Sequence, residues 1–114
     1  MATGKITKTT DHSKDVEGYF ASGTGAGTVY YYRRGDIVTV VFENVNYPAT
    51  GWGTCGTIPA ELRPVKAMYG QGTLGAYQKE RCTIRVAADG SCQVVLSSGT
   101  AGTGVYGNVT YVMV

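Results

Sequence analysis

Apolar and polar side chains alternate along most of this chain with a period of two residues, which is typical of half-buried β-strands. The alternation is clearest at residues 30–43 and 81–97, and each of these segments predicts a β-hairpin with glycine in its turn. Shorter strands are predicted at residues 16–20, 65–70 and 74–77, the last two separated by a bend at 70–72. The final segment, residues 105–114, predicts a central or closing strand of the same sheet.

The turn of the first hairpin decides which of its side chains face each other. A three-residue turn that ends at Gly35, with that glycine in the left-handed conformation of a G1 bulge, sets Tyr30 opposite Val38. A two-residue turn would instead set Tyr31 opposite Val38. We favour the first because it puts glycine where the bulge requires it. The sequence Arg-Gly-Asp at residues 34–36 is explained by this turn without an adhesive role.

Both faces of the first hairpin are apolar. One face carries Val38, Val40 and Phe42, and the other is predicted to carry Val29, Tyr31, Ile37 and Val41. A small antiparallel sheet with one face in water alternates more cleanly than this. We therefore expect the second face to be covered by another sheet layer or another subunit, and the hypothesis is a homo-oligomer.

The second hairpin has one register that places both of its apolar sets in the same core. In that register Val86 lies opposite Cys92, and a three-residue turn ends at Gly90. Cys82 then lies roughly 13 Å along the strands from Cys92, which is too far for a disulfide. The chain has three cysteines, an odd number, and their spacing fits neither a zinc ribbon nor a Cys-x-x-Cys motif, so we predict free thiols.

A polar row lies on the outward side of this second hairpin. Its members are Arg81, Thr83 and Arg85 on the first strand, with Gln93, Val95 and Ser97 on the second. Such a row is either ordinary solvated surface or a hydrogen-bonding floor for a ligand.

Size and charge exclude several classes of protein. The chain has 114 residues, which suffice for one domain, and its net charge of +2 with a pI near 8.4 lacks the basic excess of nucleic-acid-binding proteins. No apolar run approaches the roughly 18 to 20 residues that cross a bilayer, so membrane insertion is not expected. Residues 1–15 are polar, without the apolar core of a signal peptide, and predict an N-terminal arm or linker that precedes a domain at 16–114.

Catalytic signals are weak in this sequence. The single histidine, His12, lies in the polar arm, and no Ser/His/Asp, Cys/His or metal-ligand spacing is present. We therefore predict no catalytic residues, no metal and no cofactor. A glycosidase with two carboxylates that are distant in the chain is a further hypothesis, which a polysaccharide turnover assay would test.

The least generic stretch is the corner at residues 52–64. Here a short strand should end at Pro59, which cannot donate to a ladder, and Pro64 holds the preceding residue extended. At most one tight turn fits between the two prolines, and a new strand is expected from Val65.

This corner carries a resemblance to a known family. The spacing of Trp52, Gly56, Ile58, Pro59, Leu62, Arg63 and Pro64 resembles the corner in the C-terminal heads of tailed-phage receptor-binding proteins and tail fibres, such as those of lactococcal-type phages and related prophages. The resemblance covers roughly residues 28–114, with the hairpin before the corner and the hairpin and terminal strand after it.

The resemblance implies an all-β fold, a small antiparallel β-sandwich or barrel of the jelly-roll-like knob type, which assembles as a homotrimer. It implies a non-catalytic protein made in the bacterial host cytoplasm and carried on the virion, at the tip of a tail fibre or baseplate, where it binds a bacterial surface saccharide. The alternative is a purely structural fibre-tip protein that forms trimers and binds no ligand.

The resemblance also points to a site, because in similar heads the outward face of the strand before the small-residue turn contributes to sugar pockets. On this chain that strand carries Thr83 and Arg85, with Arg81 beside them. Aromatic rings stack on the apolar faces of sugars, although Trp52 equally fits a role in core or interface packing. The candidate saccharide-binding residues are Arg81, Thr83, Arg85, Gln93, Tyr31 and Trp52.

Overall fold

The computed structural model describes residues 11–47, 52–74, 80–96 and 102–113, so residues 1–10 of the predicted arm, 75–77 of a predicted strand and Ser97 of the polar row lie outside this part. The described strands are β1 (Val16–Ala21), β2 (Thr28–Arg34), β3 (Ile37–Tyr47), β4 (Gly53–Thr57), β5 (Met68–Leu74), β6 (Glu80–Val86), β7 (Ser91–Leu96) and β8 (Gly102–Val112).

These strands form one antiparallel sheet in the order β1-β2-β3-β8-β5-β6-β7-β4. The sheet curls until its two edges approach each other, where the Gly23 N–H donates to the Cys55 carbonyl at 2.7 Å and Phe20 covers Gly56. The result is a nearly closed barrel, which confirms the prediction of an all-β antiparallel fold. None of the helices in the described residues is long and apolar enough to span a bilayer.

The core fills the inside of the barrel, and its buried side chains come from β2, β3, β4, β6, β7, β8 and the proline corner. Met68 and Leu74 of β5 are partly buried against it. The largest fully buried side chains of the core are Tyr47, Phe42, Ile58, Leu62 and Ile84, and the remainder is largely valine. Strand β8 lies between β3 and β5, so the terminal segment is a central strand, as predicted.

The first hairpin has neither of the registers considered from the sequence. Tyr31 lies opposite Val40, and the turn has two residues, of which Gly35 comes first with φ 62°. Glycine at that place with positive φ fits a type II′ turn, a position that sequence alone does not distinguish from a G1 bulge. The turn is held by its surroundings, because the Asp15 carboxylate accepts from the Gly35 N–H at 2.7 Å and Arg33 Nε donates to the Gly35 carbonyl at 2.7 Å.

The corrected register changes the two faces of this hairpin. Val38, Val40 and Phe42 are buried as predicted, but Val29 and Tyr31 join them on the inner side. The outer side instead carries Tyr30 and Tyr32 from β2, together with Ile37, Thr39 and Val41 from β3.

The second hairpin has the predicted register in full. Val86 lies opposite Cys92, Cys82 lies opposite Leu96, and Gly90 ends the turn with φ 88°. All three cysteines are buried free thiols. Burial raises the pKa of the Cys82 thiol to about 11 and that of Cys92 to about 12, so both are neutral and poorly nucleophilic at physiological pH.

The bend predicted at residues 70–72 is wrong, because β5 runs straight through it. The glycines of this segment instead allow neighbouring strands to approach closely. A Cβ added to Gly72 would lie 3.0 Å from the Tyr106 carbonyl oxygen of β8 and 2.8 Å from Cys82 Sγ of β6.

The proline corner is confirmed as a single tight turn, formed by the 3-10 segment Ala60–Leu62. Ile58 and Leu62 point into the end of the barrel and are fully buried. The strand expected from Val65 begins only at Met68, since Val65 and Lys66 lie exposed in a bend.

Candidate functional site

The outward face of β6, β7 and β4 carries a chain of connected polar side chains. Arg85 and Gln93 lie opposite each other on β6 and β7, and Arg85 Nε donates to Gln93 Oε1 at 2.7 Å. Gln93 Nε2 donates in turn to Thr54 Oγ1 of β4 at 2.9 Å. The hydrogen bond between Gln93 and Arg85 holds the guanidinium group in one orientation on the surface.

Two aromatic rings complete this arrangement. Arg85 Cζ lies 3.9 Å from the centroid of the Trp52 ring, within the range of a cation–π contact. The centroid of the Tyr69 ring lies 6.2 Å from that of Trp52, with the planes inclined by 56°. Tyr69 is 58% exposed, so part of this aromatic surface is open to solvent. We call these residues the Arg85 cluster: Trp52, Thr54, Tyr69, Arg85 and Gln93.

Strand pairing explains why residues so far apart in the chain meet here. Tyr69 lies opposite Arg85 across β5 and β6, and Thr54 lies opposite Gln93 across β4 and β7. Regular alternation along β4 places Thr54 on the outer surface and Cys55 inside the barrel, and the ladder with β7 shifts register only after Thr54.

The remaining residues of the predicted polar row continue from this cluster. Arg81 and Thr83 are exposed on β6, and together with Gln71 of β5 and Val95 of β7 they line a shallow depression. Five of the six predicted site residues therefore lie on one surface: Arg81, Thr83, Arg85, Gln93 and Trp52.

Tyr31 does not belong to this surface. It lies on the inner side of β2 opposite Val40, and its ring centroid is 6.4 Å from that of Phe20. The prediction placed Tyr31 outward because it used the wrong register for the first hairpin. Tyr31 therefore lies apart from the other five predicted site residues.

The electrostatic character of the surface is positive. Among the described residues on the outward side of β4 to β7, Arg81 and Arg85 are accompanied by no carboxylate. Asp89 lies in the turn of this hairpin, where the Ser91 N–H donates to Asp89 Oδ1 at 2.9 Å and lowers the pKa of that carboxyl. The surface thus offers cationic and amide donors beside aromatic faces.

Two members of the Arg85 cluster were not predicted as site residues. Thr54 could have been predicted, because it lies two residues after Trp52 and therefore on the same side of a regular strand. Tyr69 carried no comparable signal, because its position depends on the path of β5 through the region read as a bend.

The fold and this surface define an antiparallel β-barrel that carries a polar and aromatic cluster on its outer face. Comparison with protein-family models and with curated proteins gives no match for the chain. No group of three or more His, Cys, Asp or Glu side chains in the described ranges is arranged to hold a metal ion.

Proposed function

We propose that this protein is a non-catalytic head that binds a bacterial surface saccharide and mediates host attachment at the tip of a phage tail fibre or baseplate. The observation that carries the proposal is Arg85, which lies 3.9 Å from the Trp52 ring centroid while it is hydrogen-bonded to Gln93 on an open surface. This arrangement joins an aromatic face to oriented donors, the two features that a sugar ring requires.

The chemistry of the Arg85 cluster suits saccharides better than most other ligands. A pyranose ring has an apolar face, which stacks on Trp52 or Tyr69, and a rim of hydroxyls, which accept from arginine and exchange hydrogen bonds with amides. Because the guanidinium group is already held by Gln93, binding costs little side-chain entropy.

The phage context of the proposal rests on the resemblance of the proline corner. That corner forms a tight turn whose Leu62 is buried, as befits an architectural motif of a head domain. The proposed location is accordingly the virion, with synthesis in the cytoplasm of the bacterial host.

Exposed apolar side chains on the outer side of β1 and β2, and at the ends of β3 and β8 that carry Ile37 and Val112, support the proposed homotrimer. These exposed side chains are Tyr19, Tyr30, Tyr32, Ile37 and Val112. Ile37 is 51% exposed and lies opposite Val112 across β3 and β8, so the two form a continuous apolar surface. Contiguous apolar patches on a protein surface mark interaction sites. We call this surface the tyrosine face.

The oligomeric state tests this part of the proposal. The chain has a mass of 12.0 kDa, and light scattering on the purified protein is expected to give three times that value. Ile37→Ser should shift the mass toward that of the monomer because it places a hydroxyl in the apolar contact, whereas Val65→Ser, at an exposed corner position, should leave the trimer intact. A monomeric wild-type protein would contradict the trimer.

Glycan binding tests the main proposal. The wild-type protein is expected to bind selectively on an array of bacterial surface glycans, and Arg85→Ala should weaken that binding by about 100-fold or more, because a charge-assisted hydrogen bond and the cation–π partner of Trp52 are lost together. Melting temperature and oligomeric mass should be unchanged, because Arg85 lies on the surface.

Lys66→Ala is the control, since Lys66 is an exposed cation in the bend that follows the proline corner. It should bind as the wild type does. Wild-type binding that survives Arg85→Ala would remove the Arg85 cluster from the site, and a wild-type protein that binds no bacterial glycan would refute the proposal.

The tyrosine face also favours the second candidate, a structural fibre-tip protein that forms trimers and recognises nothing. An apolar assembly surface is all that such a protein needs. A stable trimer that shows no selectivity among host cell walls would support this alternative.

A further inference from the structure

The polar outer surface does not end at the Arg85 cluster but continues across the sheet to β8. Thr73 of β5 lies opposite Arg81 of β6 on one side and opposite Tyr106 of β8 on the other. Gly72 and Gly107 form the adjacent pair, so the register places Gln71 beside Asn108. Polar or aromatic side chains therefore face outward on five neighbouring strands: β4, β7, β6, β5 and β8.

A local irregularity marks the far end of this surface. The ladder between β3 and β8 shifts register between Phe42 and Val45, and Asn44 within the shift has φ 53°. It is the one residue other than glycine with positive φ in the described part of the chain. Bulges of this kind redirect side chains, and left-handed non-glycine residues cluster at functional sites.

The bulge lies beside a second depression in the surface. Its polar and aromatic lining comes from Glu43 and Asn44 on β3 and from Tyr106 and Asn108 on β8. Tyr106 is 40% exposed, and the other three side chains are exposed as well. The lining thus combines an aromatic ring with two amides and a carboxylate.

The chemistry of this depression differs from that of the Arg85 cluster. Amide groups both donate and accept hydrogen bonds, and a carboxylate accepts them, so together they match the hydroxyls of an uncharged sugar unit. The residues that line it include no cation to bind an acidic substituent. Tyr106 provides the stacking face that such a unit needs.

We propose that the depression formed by Glu43, Asn44, Tyr106 and Asn108 is a second saccharide subsite, which takes an uncharged sugar unit of the same ligand that the Arg85 cluster binds. This inference rests on the proposed function. Tyr69 of the Arg85 cluster lies on β5 two residues from Gln71, and Gln71 lies beside Asn108 of the depression. The nearest members of the two sites are therefore one strand spacing and two residues apart, or roughly 8 Å. A ligand that reaches both sites is an oligosaccharide and not a single terminal sugar.

The experiment uses fragments of the glycan that the wild-type protein binds on the array, with lengths from one to six sugar units. Trp52 is the single tryptophan of the chain and lies in the Arg85 cluster, so its fluorescence reports binding at the first site. In the wild-type protein the affinity is expected to rise at least tenfold from the shortest fragments to the longest. Equal affinity for all lengths would overturn the subsite.

Two substitutions in the depression test whether it is the source of the higher affinity for long fragments. Asn44→Gly removes the side chain, and because glycine adopts the left-handed conformation freely, the bulge stays intact. Asn44→Gly and Tyr106→Ala should each lower the affinity for the longest fragment about tenfold, whereas Lys66→Ala, in the exposed bend after the corner, should not. Melting temperatures check that every variant is folded.

The outcomes separate the two proposals. If the longest fragment keeps its advantage in both Asn44→Gly and Tyr106→Ala, the second subsite is refuted while saccharide binding at the Arg85 cluster stands. If no fragment of any length changes the fluorescence of Trp52 or binds in calorimetry, the proposed function fails, and the subsite fails with it.

Discussion

Replacing Gly107 by valine is expected to destabilise the protein by about 3 kcal/mol or more, enough to unfold a domain of ordinary stability in mild denaturant. A Cβ at this position would lie 2.8 Å from the Gln71 carbonyl oxygen, 2.9 Å from Gly72 Cα and 3.0 Å from Ile84 Cδ1. Two of these three atoms belong to the backbone of β5, which cannot yield without loss of its pairing with β8. Urea unfolding followed by circular dichroism measures the change.

Thr110→Val is the matched control for Gly107→Val. It introduces the same side chain into the same strand, but Thr110 is exposed, and its hydroxyl lies 3.1 Å from that of Thr39 on the outer surface. Its effect is expected to stay within about 0.5 kcal/mol, as for most surface substitutions. A Gly107→Val protein as stable as this control would show that β5 and β8 do not pack as closely as described.

The contrast between the two hairpins shows what a sequence pattern determines. In the second hairpin, both strands carry strong apolar faces, so only one register buries Ile84 and Val94 together, and that register is observed. In the first hairpin, tyrosines on both faces of β2 make the faces alike, and the glycine fits two kinds of turn. Hydrogen bonds of Arg33 and Asp15 to the backbone of Gly35 stabilise the observed turn. The period-two pattern of the sequence does not predict these contacts.

Glycines within strands show a second limit of prediction from the sequence. The Gly-Gln-Gly sequence at residues 70–72 has the composition of a bend, yet it lies within β5, where Gly72 allows β8 to approach. Whether a glycine breaks a strand or permits a close contact depends on its neighbour in the sheet. That neighbour, Tyr106, lies more than thirty residues away in the chain.

The candidate site, too, could be predicted from local alternation only in part. Alternation along β6 and β7 was sufficient to place Arg85 and Gln93 on one outward surface. The meeting of Trp52 and Tyr69 with Arg85 depends on the order β5-β6-β7-β4, which results from long-range pairing. The bulge at Asn44 did leave a trace in the sequence, because the apolar positions change from even numbers up to Phe42 to odd numbers from Val45, across the polar pair Glu43 and Asn44. The predicted strand did not take this change into account.

The proline corner is the feature of the sequence whose architectural role is clearest in the structure. Leu62 fills one end of the barrel and is fully buried, and its carbonyl accepts from the Tyr111 hydroxyl of β8 at 2.6 Å. Burial raises the pKa of Tyr111, so this hydroxyl stays protonated and continues to donate across the physiological range. The corner is thus tied to the central strand by both packing and a hydrogen bond.

Leu62→Ala is therefore expected to lower the free energy of unfolding by about 3 kcal/mol, since it leaves a cavity at the end of the core where the neighbouring 3-10 turn limits collapse. Val65→Ala, three residues further along at an exposed position, should change stability by less than about 0.5 kcal/mol. Urea unfolding of both variants measures the difference. Equal stability would mean that the corner is attached to the barrel without supporting it.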